Sequence, residues 1–356
     1  MGEKKLMKGN EAFAEAAIRA GCDAYFGYPI TPQSEVMEYL AMQQPHLRTG
    51  MVLLQAESEI AAINMVYGAS GTGKKVMTSS SSPGISLKQE GISYLAGSEL
   101  PCIILNVMRG GPGLGTIQPS QSDYFQATKG GGHGDYRMIV LAPASVQEMA
   151  DFVKLGFDLA FKYRNPVMIL SDGIIGQMME KVELFDQIPR VTDFDQQWVT
   201  TGKTPDRERN IITSVNLDPS VQERHNHKLQ AKYQKMREEE VRFEAIECDD
   251  ADYLFVAYGC SARICQKSVK LARAKGIKAG LLRPVTLFPF PSVEIERRAA
   301  KLKGILAVEL SAGQMIEDVR LAVDGRVKVA LHNRMGGMVF SPEEVVDALI
   351  NSFSIR

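Results

Sequence analysis

The fold is decided by a repeating pattern, one unit of which is Met51–Ala69, MVLLQAESEIAAINMVYGA. Its first part, Met51–Gln55, is a short and largely apolar run that favours a β-strand. Its second part, Glu57–Ala69, carries apolar residues three and four positions apart, which is the spacing of an amphipathic helix. The segment therefore predicts a strand, a short connection and a helix.

The same unit recurs through the first half of the chain. Further strands are predicted at Ala24–Gly27, Lys75–Thr78, Cys102–Val107, Met138–Leu141 and Val167–Ser171. Further helices are predicted at Glu11–Ala20, Ser34–Met42, Leu87–Leu95 and Val146–Tyr163. Strands that alternate with helices form parallel sheets, because each helix carries the chain back to the start of the next strand. We therefore expect an α/β fold with a doubly wound, mostly parallel sheet over residues 1–185.

A second, smaller α/β series occupies the C-terminal part. Its strands are predicted at Tyr253–Tyr258, Ala279–Leu282, Ile305–Glu309 and Val327–Leu331. Between the two series, turn signals are followed by the charged stretch Val221–Phe243, which is typical of a solvated helix. The sequence thus predicts a first domain at 1–185, a linker with one charged helix at 186–247 and a second domain at 248–356.

The composition excludes several classes of partner. The 356 residues include 41 Lys and Arg against 42 Asp and Glu, which gives a net charge of −1. Nucleic acid and anionic membranes attract proteins with a basic excess, so we expect neither as a partner. No apolar run approaches the roughly 18 residues of a membrane span. The five cysteines are scattered without a Cys-x-x-Cys pair, which argues against a disulfide framework or a metal site and favours the cytoplasm.

Candidate site residues follow three of the predicted strands. In an open α/β sheet, ligands bind beyond the carboxyl ends of the strands, where the loops lie close together. Thr31 follows the first strand within Gly27–Pro32, and Pro32 is suited to the first turn of the next helix. Thr31 is therefore a candidate helix N-cap as well as a candidate ligand residue.

An acidic pair and a lone arginine follow the two other strands. Glu57 and Glu59 are two positions apart, so on a helix their directions differ by roughly 200° and only one of them can face a given site. Arg109 precedes the glycine-rich Gly110–Gly113, and its planar guanidinium can bind a carboxylate through two parallel hydrogen bonds. These residue types alone leave open whether Thr31, Glu59 and Arg109 bind a ligand or are ordinary capping and surface residues.

Five segments of the first half, together with short motifs of the second, resemble a known family. The segments are GYPITP at 27–32, QAESE at 55–59, TSSSSPG at 78–84, RGGP at 109–112 and KGGGHGD at 129–135, with RP at 283–284, PFP at 289–291, Glu309 and GQ at 313–314. Over nearly its whole length the chain resembles the α subunit of the 2-oxoacid:ferredoxin oxidoreductases, a family of thiamine-diphosphate enzymes. The resemblance implies a pyrimidine-binding domain of the thiamine-diphosphate type followed by a transketolase-C-like domain.

The resemblance also implies roles for particular residues. Glu59 matches the catalytic glutamate that pairs with N1′ of the cofactor's aminopyrimidine ring. Thr31 and Arg109 match residues that bind the 2-oxoacid substrate. The further cofactor contacts that it implies are Pro29, Ile30, Ser81 and Ser82. The implied reaction is oxidative decarboxylation of a 2-oxoacid with coenzyme A (CoA), which yields an acyl-CoA and CO₂ and passes electrons to ferredoxin.

Two motifs that this reaction requires are missing from the chain. The nearest approach to the Gly-Asp-Gly diphosphate motif of thiamine enzymes is Ser171-Asp172-Gly173, and no suitable Asn-Asn follows it. No cysteine spacing fits an iron–sulfur cluster. The resemblance therefore implies partner subunits: a β subunit that holds the diphosphate and Mg²⁺, a γ subunit and a ferredoxin-like δ subunit, with the iron–sulfur clusters on these partners.

Three alternatives stay open. The resemblance favours 2-oxoisovalerate, a branched-chain substrate, but members specific for 2-oxoglutarate or pyruvate belong to the same family. A second alternative is an independent thiamine enzyme, such as a decarboxylase or a transketolase, which would bind the cofactor as an isolated chain. A third is a subunit that keeps the fold without catalysing a reaction.

Overall fold

The computed structural model of the chain describes residues 3–190, 197–203 and 205–355. In the first half, the strands are β1 Glu3–Lys8, β2 Ala24–Gly27, β3 Val52–Gln55, β4 Val76–Ser80, β5 Cys102–Met108, β6 Ile139–Leu141, β7 Pro166–Asp172 and β8 Met179–Leu184. The helices there are α1 Gly9–Arg19, α2 Ser34–Gln43, α3 Pro45–Arg48, α4 Glu59–Gly71, α5 Ser82–Gly97, α6 Val146–Tyr163 and α7 Gly173–Gln177.

The second half continues the alternation. Its strands are β9 Phe243–Ile246, β10 Tyr253–Val256, β11 Ala279–Pro284, β12 Thr286–Phe288, β13 Gly304–Glu309 and β14 Val329–Asn333. Its helices are α8 Pro219–Glu239, α9 Gly259–Ala274, α10 Ser292–Ala299, α11 Met315–Val323 and α12 Pro342–Phe353. None of the helices in the described ranges is long and apolar enough to cross a membrane.

The first sheet has seven strands in the order β12-β6-β7-β5-β4-β2-β3. All neighbours are parallel except β12, which pairs antiparallel with β6. Every residue of β4, β5 and β7 is buried, because helices cover both faces of the sheet. From β2 the chain winds to β3 on one side and then to β4 on the other, so a crevice opens between β2 and β4 at the carboxyl edge. This arrangement confirms the doubly wound, mostly parallel sheet.

The second sheet has five strands in the order β14-β13-β10-β11-β9. The four strands predicted from the sequence are parallel, and β9 pairs antiparallel with β11. The structure thus places residues 243–246 in this sheet rather than in the expected linker, of which residues 191–196 and 204 lie outside the described ranges. The four residues of β9 are mostly exposed at the edge of the sheet. A strand of four residues is too short to show a clear alternation of apolar and polar residues in the sequence.

The two halves are joined by shared elements. Strand β12 comes from the second half of the chain but completes the first sheet. The buried Gln121 links the halves, since its Nε2 donates to Tyr258 O (2.8 Å) and its Oε1 accepts from Leu310 N (3.0 Å). The charged helix α8 also packs against the first half and buries Leu229, Tyr233 and Met236. Loops of both halves therefore meet at one edge of the first sheet.

Candidate active site

The candidate residues lie at the carboxyl edge of the first sheet. The loop after β2 carries Thr31, the turn after β3 leads to Glu59, and β5 ends next to Arg109. Ser81 lies between β4 and α5, and Ser82 opens α5. A parallel sheet brings these loops together because all its strands end at the same edge.

Glu59 is the first residue of α4 and is only 7% exposed. Ser58 caps this helix, since its Oγ accepts a hydrogen bond from Ala61 N (3.2 Å). Glu57 is exposed and precedes the helix, so the acidic pair divides into one surface residue and one buried residue. The predicted helix start at Glu57 is wrong, because Ser58 caps the helix, and the two directions along one helix therefore do not explain this division. The Glu59 carboxyl group accepts no hydrogen bond from any described residue, and a buried carboxyl group without a partner is suited to binding a ligand.

A glycine of α5 determines how closely this helix approaches Glu59. A Cβ atom at Gly84 would lie 2.8 Å from Glu59 Oε1 and 2.1 Å from Ser80 Oγ, so only glycine fits between them. The hydroxyl groups of Ser80 and Ser81 are buried and have no hydrogen-bond partner among the described residues. Three polar groups with unused hydrogen-bonding capacity therefore lie around the start of α5.

Arg109 bridges two loops with its guanidinium group. Its Nη1 donates to the Thr31 carbonyl oxygen (3.0 Å) and its Nη2 to the Leu114 carbonyl oxygen (3.2 Å). Its Nε is buried without a partner among the described residues. Because a guanidinium has five N–H groups, three of them stay available for a carboxylate or carbonyl group. The structure thus places the Arg109 guanidinium against the backbone of Thr31.

A polar network that the sequence analysis did not identify holds Arg109 in place. Arg109 N donates to Ser82 Oγ (3.0 Å), and this hydroxyl donates to Asp123 Oδ2 (2.6 Å). Asn106 Nδ2 donates to the same carboxylate oxygen (2.9 Å), while its Oδ1 accepts from Ser82 N (3.2 Å). Burial raises the pKa of the Asp123 carboxyl group, and the hydrogen bonds from Ser82 and Asn106 oppose this shift. Single polar residues such as Asn106 and Asp123 belong to no recognisable motif, so the sequence alone does not indicate that they interact.

The predicted capping role of Thr31 is wrong. Helix α2 begins at Ser34, and Gln33 is its N-cap residue. The backbone first forms a turn in which Gln33 N donates to Ile30 O (3.0 Å), so the helix starts later than Pro32 suggests. Thr31 is exposed in this turn, while Pro29 and Ile30 are half-buried before it. The Thr31 side chain therefore does not cap α2, and its role as a candidate ligand residue stays open.

A cavity of about 650 Å³ opens beside Arg109, between the two halves of the chain. It is lined by Ser82, Pro83, Ser86, Arg109, Gly110, Gly111, Pro112, Gly113, Ser120, Ser122, Asp123, Leu310, Ser311, Ala312, Gln314, Met335 and Gly336. Glu59 does not line it and lies instead against Gly84 of α5. The site thus has two parts, a cavity with one basic side chain and a buried carboxyl group behind Gly84.

The residues around α5 fit part of a thiamine diphosphate molecule. The Glu59 carboxyl group can pair with a ring nitrogen, and the buried hydroxyl groups of Ser80 and Ser81 can pair with the substituents of a polar ring. Within the described part of the chain, no three His, Cys, Asp or Glu side chains are grouped so that they could hold a metal ion. The fit therefore concerns the pyrimidine ring of the cofactor.

The chain is similar to known proteins over nearly its whole length. Residues 15–244 match the family described as pyruvate flavodoxin/ferredoxin oxidoreductase, thiamine diphosphate-binding, and residues 251–345 match pyruvate:ferredoxin oxidoreductase core domain II. The chain is 50% identical to the ketoisovalerate oxidoreductase subunit VorB of Methanothermobacter thermautotrophicus, and the alignment covers 97% of each chain.

Two solved structures share the fold. The 2-oxoglutarate:ferredoxin oxidoreductase of Magnetococcus marinus, with 2-oxoglutarate, coenzyme A and succinyl-CoA bound, matches 99% of this chain with a TM-score of 0.88 and 30% identity. This chain spans 66% of that longer chain. A split-gene transketolase, in an inactive β4 tetramer, matches 99% of both chains with a TM-score of 0.62 and 15% identity, which shows the fold alone. From its sequence and its fold, this chain belongs to the 2-oxoacid:ferredoxin oxidoreductase family.

Proposed function

We propose that this chain is the α subunit of a thiamine-diphosphate-dependent 2-oxoacid:ferredoxin oxidoreductase that converts 2-oxoisovalerate, CoA and oxidised ferredoxin to an acyl-CoA, CO₂ and reduced ferredoxin. The observation that carries the proposal is Glu59, a buried carboxyl group without a hydrogen-bond partner in the described chain. A carboxyl group that makes no hydrogen bond within the described chain has its acceptor oxygens available to a ligand. The aminopyrimidine nitrogen of the cofactor is such a partner.

Glu59 is proposed to hold and move a proton at its carboxyl group. When bound, thiamine diphosphate supplies the carbon nucleophile and the electron sink for decarboxylation. The carboxyl group of Glu59 would bind the pyrimidine N1′ and exchange its proton there, which is the work of a general acid–base group. Gly84 permits this, because any larger residue would collide with Glu59 Oε1.

Arg109 is proposed to bind and orient the substrate. Its three unused N–H groups offer a planar, positively charged surface to the carboxylate and 2-oxo oxygen of a 2-oxoacid. The Thr31 carbonyl oxygen accepts a hydrogen bond from the Arg109 guanidinium. The Thr31 hydroxyl group is proposed to bind the same substrate or solvent. Pro29, Ile30, Ser81 and Ser82 are proposed as further cofactor contacts, with Ser82 acting mainly through its bonds to Asp123 and Arg109.

Partner subunits are proposed to complete the site. The chain has no Gly-Asp-Gly motif for the diphosphate and no cysteine spacing for a cluster. We therefore assign the diphosphate and Mg²⁺ to a β subunit, assign the iron–sulfur clusters to partner subunits, and include a γ subunit and a ferredoxin-like δ subunit in a cytoplasmic complex. We place the pyrimidine-binding domain at 1–185 and start the transketolase-C-like domain near residue 243, because β9 belongs to the second sheet.

The cavity supports a monocarboxylic, branched-chain substrate. Arg109 is the one basic side chain among the lining residues within the described ranges, so no second cation is left there for the distal carboxylate of 2-oxoglutarate. The relative named for ketoisovalerate is 50% identical to this chain, whereas the 2-oxoglutarate enzyme of known structure is 30% identical. Both observations favour 2-oxoisovalerate.

The proposal is tested with the complex purified anaerobically from its host. CoA-dependent reduction of a viologen dye is measured with 2-oxoisovalerate, 2-oxoglutarate and pyruvate, and the largest kcat/KM is expected for 2-oxoisovalerate. In the same complex, Glu59→Gln should remove most turnover, while the matched variant Glu57→Gln at the exposed neighbour should keep it. Near wild-type turnover of Glu59→Gln would overturn the catalytic assignment, and a preference for another 2-oxoacid would overturn the substrate alone.

A further inference from the structure

The cavity beside Arg109 has one large apolar side chain with an exposed surface. The second half of the chain lines this cavity with Leu310, Ser311, Ala312, Gln314, Met335 and Gly336. Leu310 is 1% exposed and Met335 is 58% exposed, and no other lining residue in the described ranges is a large hydrophobic residue with an exposed side chain. Apolar surface in a cavity favours a ligand with an apolar part, because binding removes that surface from water.

The backbone next to Met335 packs against the backbone next to Arg109. Met335 precedes Gly336 in the turn after β14, and Arg109 precedes Gly110 after β5. A Cβ atom at Gly110 would lie 3.0 Å from Gly336 C and 3.0 Å from Gly337 N, so this turn lies directly on Gly110. The basic side chain and the apolar side chain therefore follow from two touching segments and line the same cavity.

Contacts with both halves of the chain hold this turn in place. Asn333, at the end of β14, donates from its Nδ2 to Ser311 O after β13 (2.6 Å). Gly337 has a φ of 95°, which residues with a side chain rarely adopt, and a Cβ atom there would lie 2.4 Å from Gln118 Cβ of the first half. The backbone around Met335 is thus fixed, while its unbranched thioether side chain can adapt to the shape of a ligand.

We propose that Met335 is a specificity-determining residue: its side chain contacts the alkyl end of the 2-oxoacid whose carboxylate binds Arg109. The inference rests on the proposed function and names the residue through which the second half of the chain selects the substrate. 2-Oxoisovalerate carries an isopropyl group where pyruvate carries a methyl group, so it offers more apolar surface to Met335. A thioether has no hydrogen-bond donor for the distal carboxylate of 2-oxoglutarate. Met335 therefore favours 2-oxoisovalerate over both other 2-oxoacids.

The inference is tested in the purified complex by the ratio of kcat/KM for 2-oxoisovalerate to kcat/KM for pyruvate. In Met335→Ala this ratio should fall by about 10-fold, the lower end of what one methylene group is worth in an apolar pocket. The loss should lie in kcat/KM for 2-oxoisovalerate, since pyruvate has little alkyl surface to lose. A general loss of stability or assembly would lower both values equally, so it would not change the ratio.

Two further variants serve as controls. Met338→Ala truncates a methionine of the same segment that is 60% exposed and is not among the lining residues, so the ratio should stay unchanged. Met335→Leu keeps an apolar side chain of similar volume and should keep the ratio within about twofold of the wild-type value.

The outcomes separate this inference from the proposed function. An unchanged ratio in Met335→Ala, or an equal fall of the ratio in Met338→Ala, would overturn the inference and leave the proposed function in place. A wild-type complex that reduces the viologen dye with none of the three 2-oxoacids would overturn the proposed function, and the inference with it.

Discussion

Glu59 and Glu309 are both buried glutamates beside the first turn of a helix, yet they have opposite surroundings. Glu309 ends β13 and is 0% exposed, and its carboxylate accepts hydrogen bonds from Ser311 Oγ, Gln314 N, Met315 N and Ile316 N at 2.6–3.0 Å. Glu59 is almost as buried but accepts none from the described residues. The Glu309 carboxylate thus has hydrogen-bond donors within its own chain, whereas the Glu59 carboxylate has none among the described residues.

The difference lies in hydrogen bonding rather than in burial, and it agrees with a structural role for Glu309 and with the ligand-binding role proposed for Glu59. Glu309 stabilises the start of α11 by pairing with amide groups that would otherwise lack acceptors. Glu59 makes no such contribution among the described residues, so its carboxyl oxygens stay available to a ligand. Substitutions at the two positions should therefore affect different quantities.

The largest expected effect is on turnover at Glu59. Glu59→Gln removes the proton that the carboxyl group exchanges, so turnover of the complex should fall by about 10³-fold, within the usual range for general acid–base groups. The free energy of unfolding should stay nearly unchanged, because no internal hydrogen bond is lost. Steady-state kinetics and chemical denaturation of the same preparation measure both quantities, with Glu57→Gln as the control. A large loss in the free energy of unfolding of Glu59→Gln would show that Glu59, like Glu309, stabilises the fold, and would contradict the contrast between them.

Glu309→Gln should show the reverse pattern. A glutamine amide supplies one acceptor oxygen and an NH₂ group that would face the amide donors of α11, so the free energy of unfolding should fall by about 3 kcal/mol. Glu317→Gln, in the exposed first turn of the same helix, is the matched control and should change stability little. Urea denaturation of the full chain measures the difference. Equal stabilities of the two variants would mean that the bonds to Glu309 contribute nothing net.

Arg109→Lys tests the other part of the site with a smaller effect. Lysine keeps the charge but cannot hold the carbonyl groups of Thr31 and Leu114 and also present a planar face to a carboxylate. We expect kcat/KM for the 2-oxoacid to fall about 10- to 100-fold, which corresponds to about 1.4–2.7 kcal/mol. Arg320→Lys, on the exposed side of α11, should leave kcat/KM unchanged. An undiminished kcat/KM in Arg109→Lys would remove Arg109 from the substrate site.

A third buried carboxylate, Glu99, gives the smallest expected effect and a dependence on pH. Burial tends to raise the pKa of its carboxyl group, but the hydrogen bond from Lys228 and the charges of Lys232, Lys228 and Arg164 outweigh burial and lower it. A carboxyl group with a lowered pKa in the folded state stabilises the protein above its unfolded pKa and loses that contribution as the pH falls. Glu99→Gln should therefore reduce the free energy of unfolding by about 1 kcal/mol at pH 7.

The difference between wild type and Glu99→Gln should shrink as the pH falls below about 4.5, where the unfolded carboxyl group becomes protonated. Denaturation curves at several pH values measure this narrowing. A difference that stays constant with pH would show that packing, and not charge, accounts for the effect of Glu99.

The predicted elements differ in how well the sequence revealed them. The strands and helices of the first sheet follow from apolar spacing, because burial on both faces imposes long apolar runs. Strands β1 and β8 were not predicted, since they form a two-stranded ladder rich in charged residues. Strand β12 was also not predicted, because its three residues pair with a strand that lies far away in the sequence. Short edge strands depend on distant partners rather than on local pattern.

The sequence by itself determined the fold class, because apolar periodicity is a local property of the chain. The resemblance of its short motifs indicated the family and made Thr31, Glu59 and Arg109 the candidate site residues. Only the tertiary structure decided that Thr31 does not cap a helix, that Ser82, Asn106 and Asp123 form a network beside Arg109, and that Gly84 packs against Glu59. These relations depend on the close approach of α4, α5 and β5 across the sheet. Such contacts join residues far apart in the chain, and the hydrogen-bonding and burial of each group are settled only when they form.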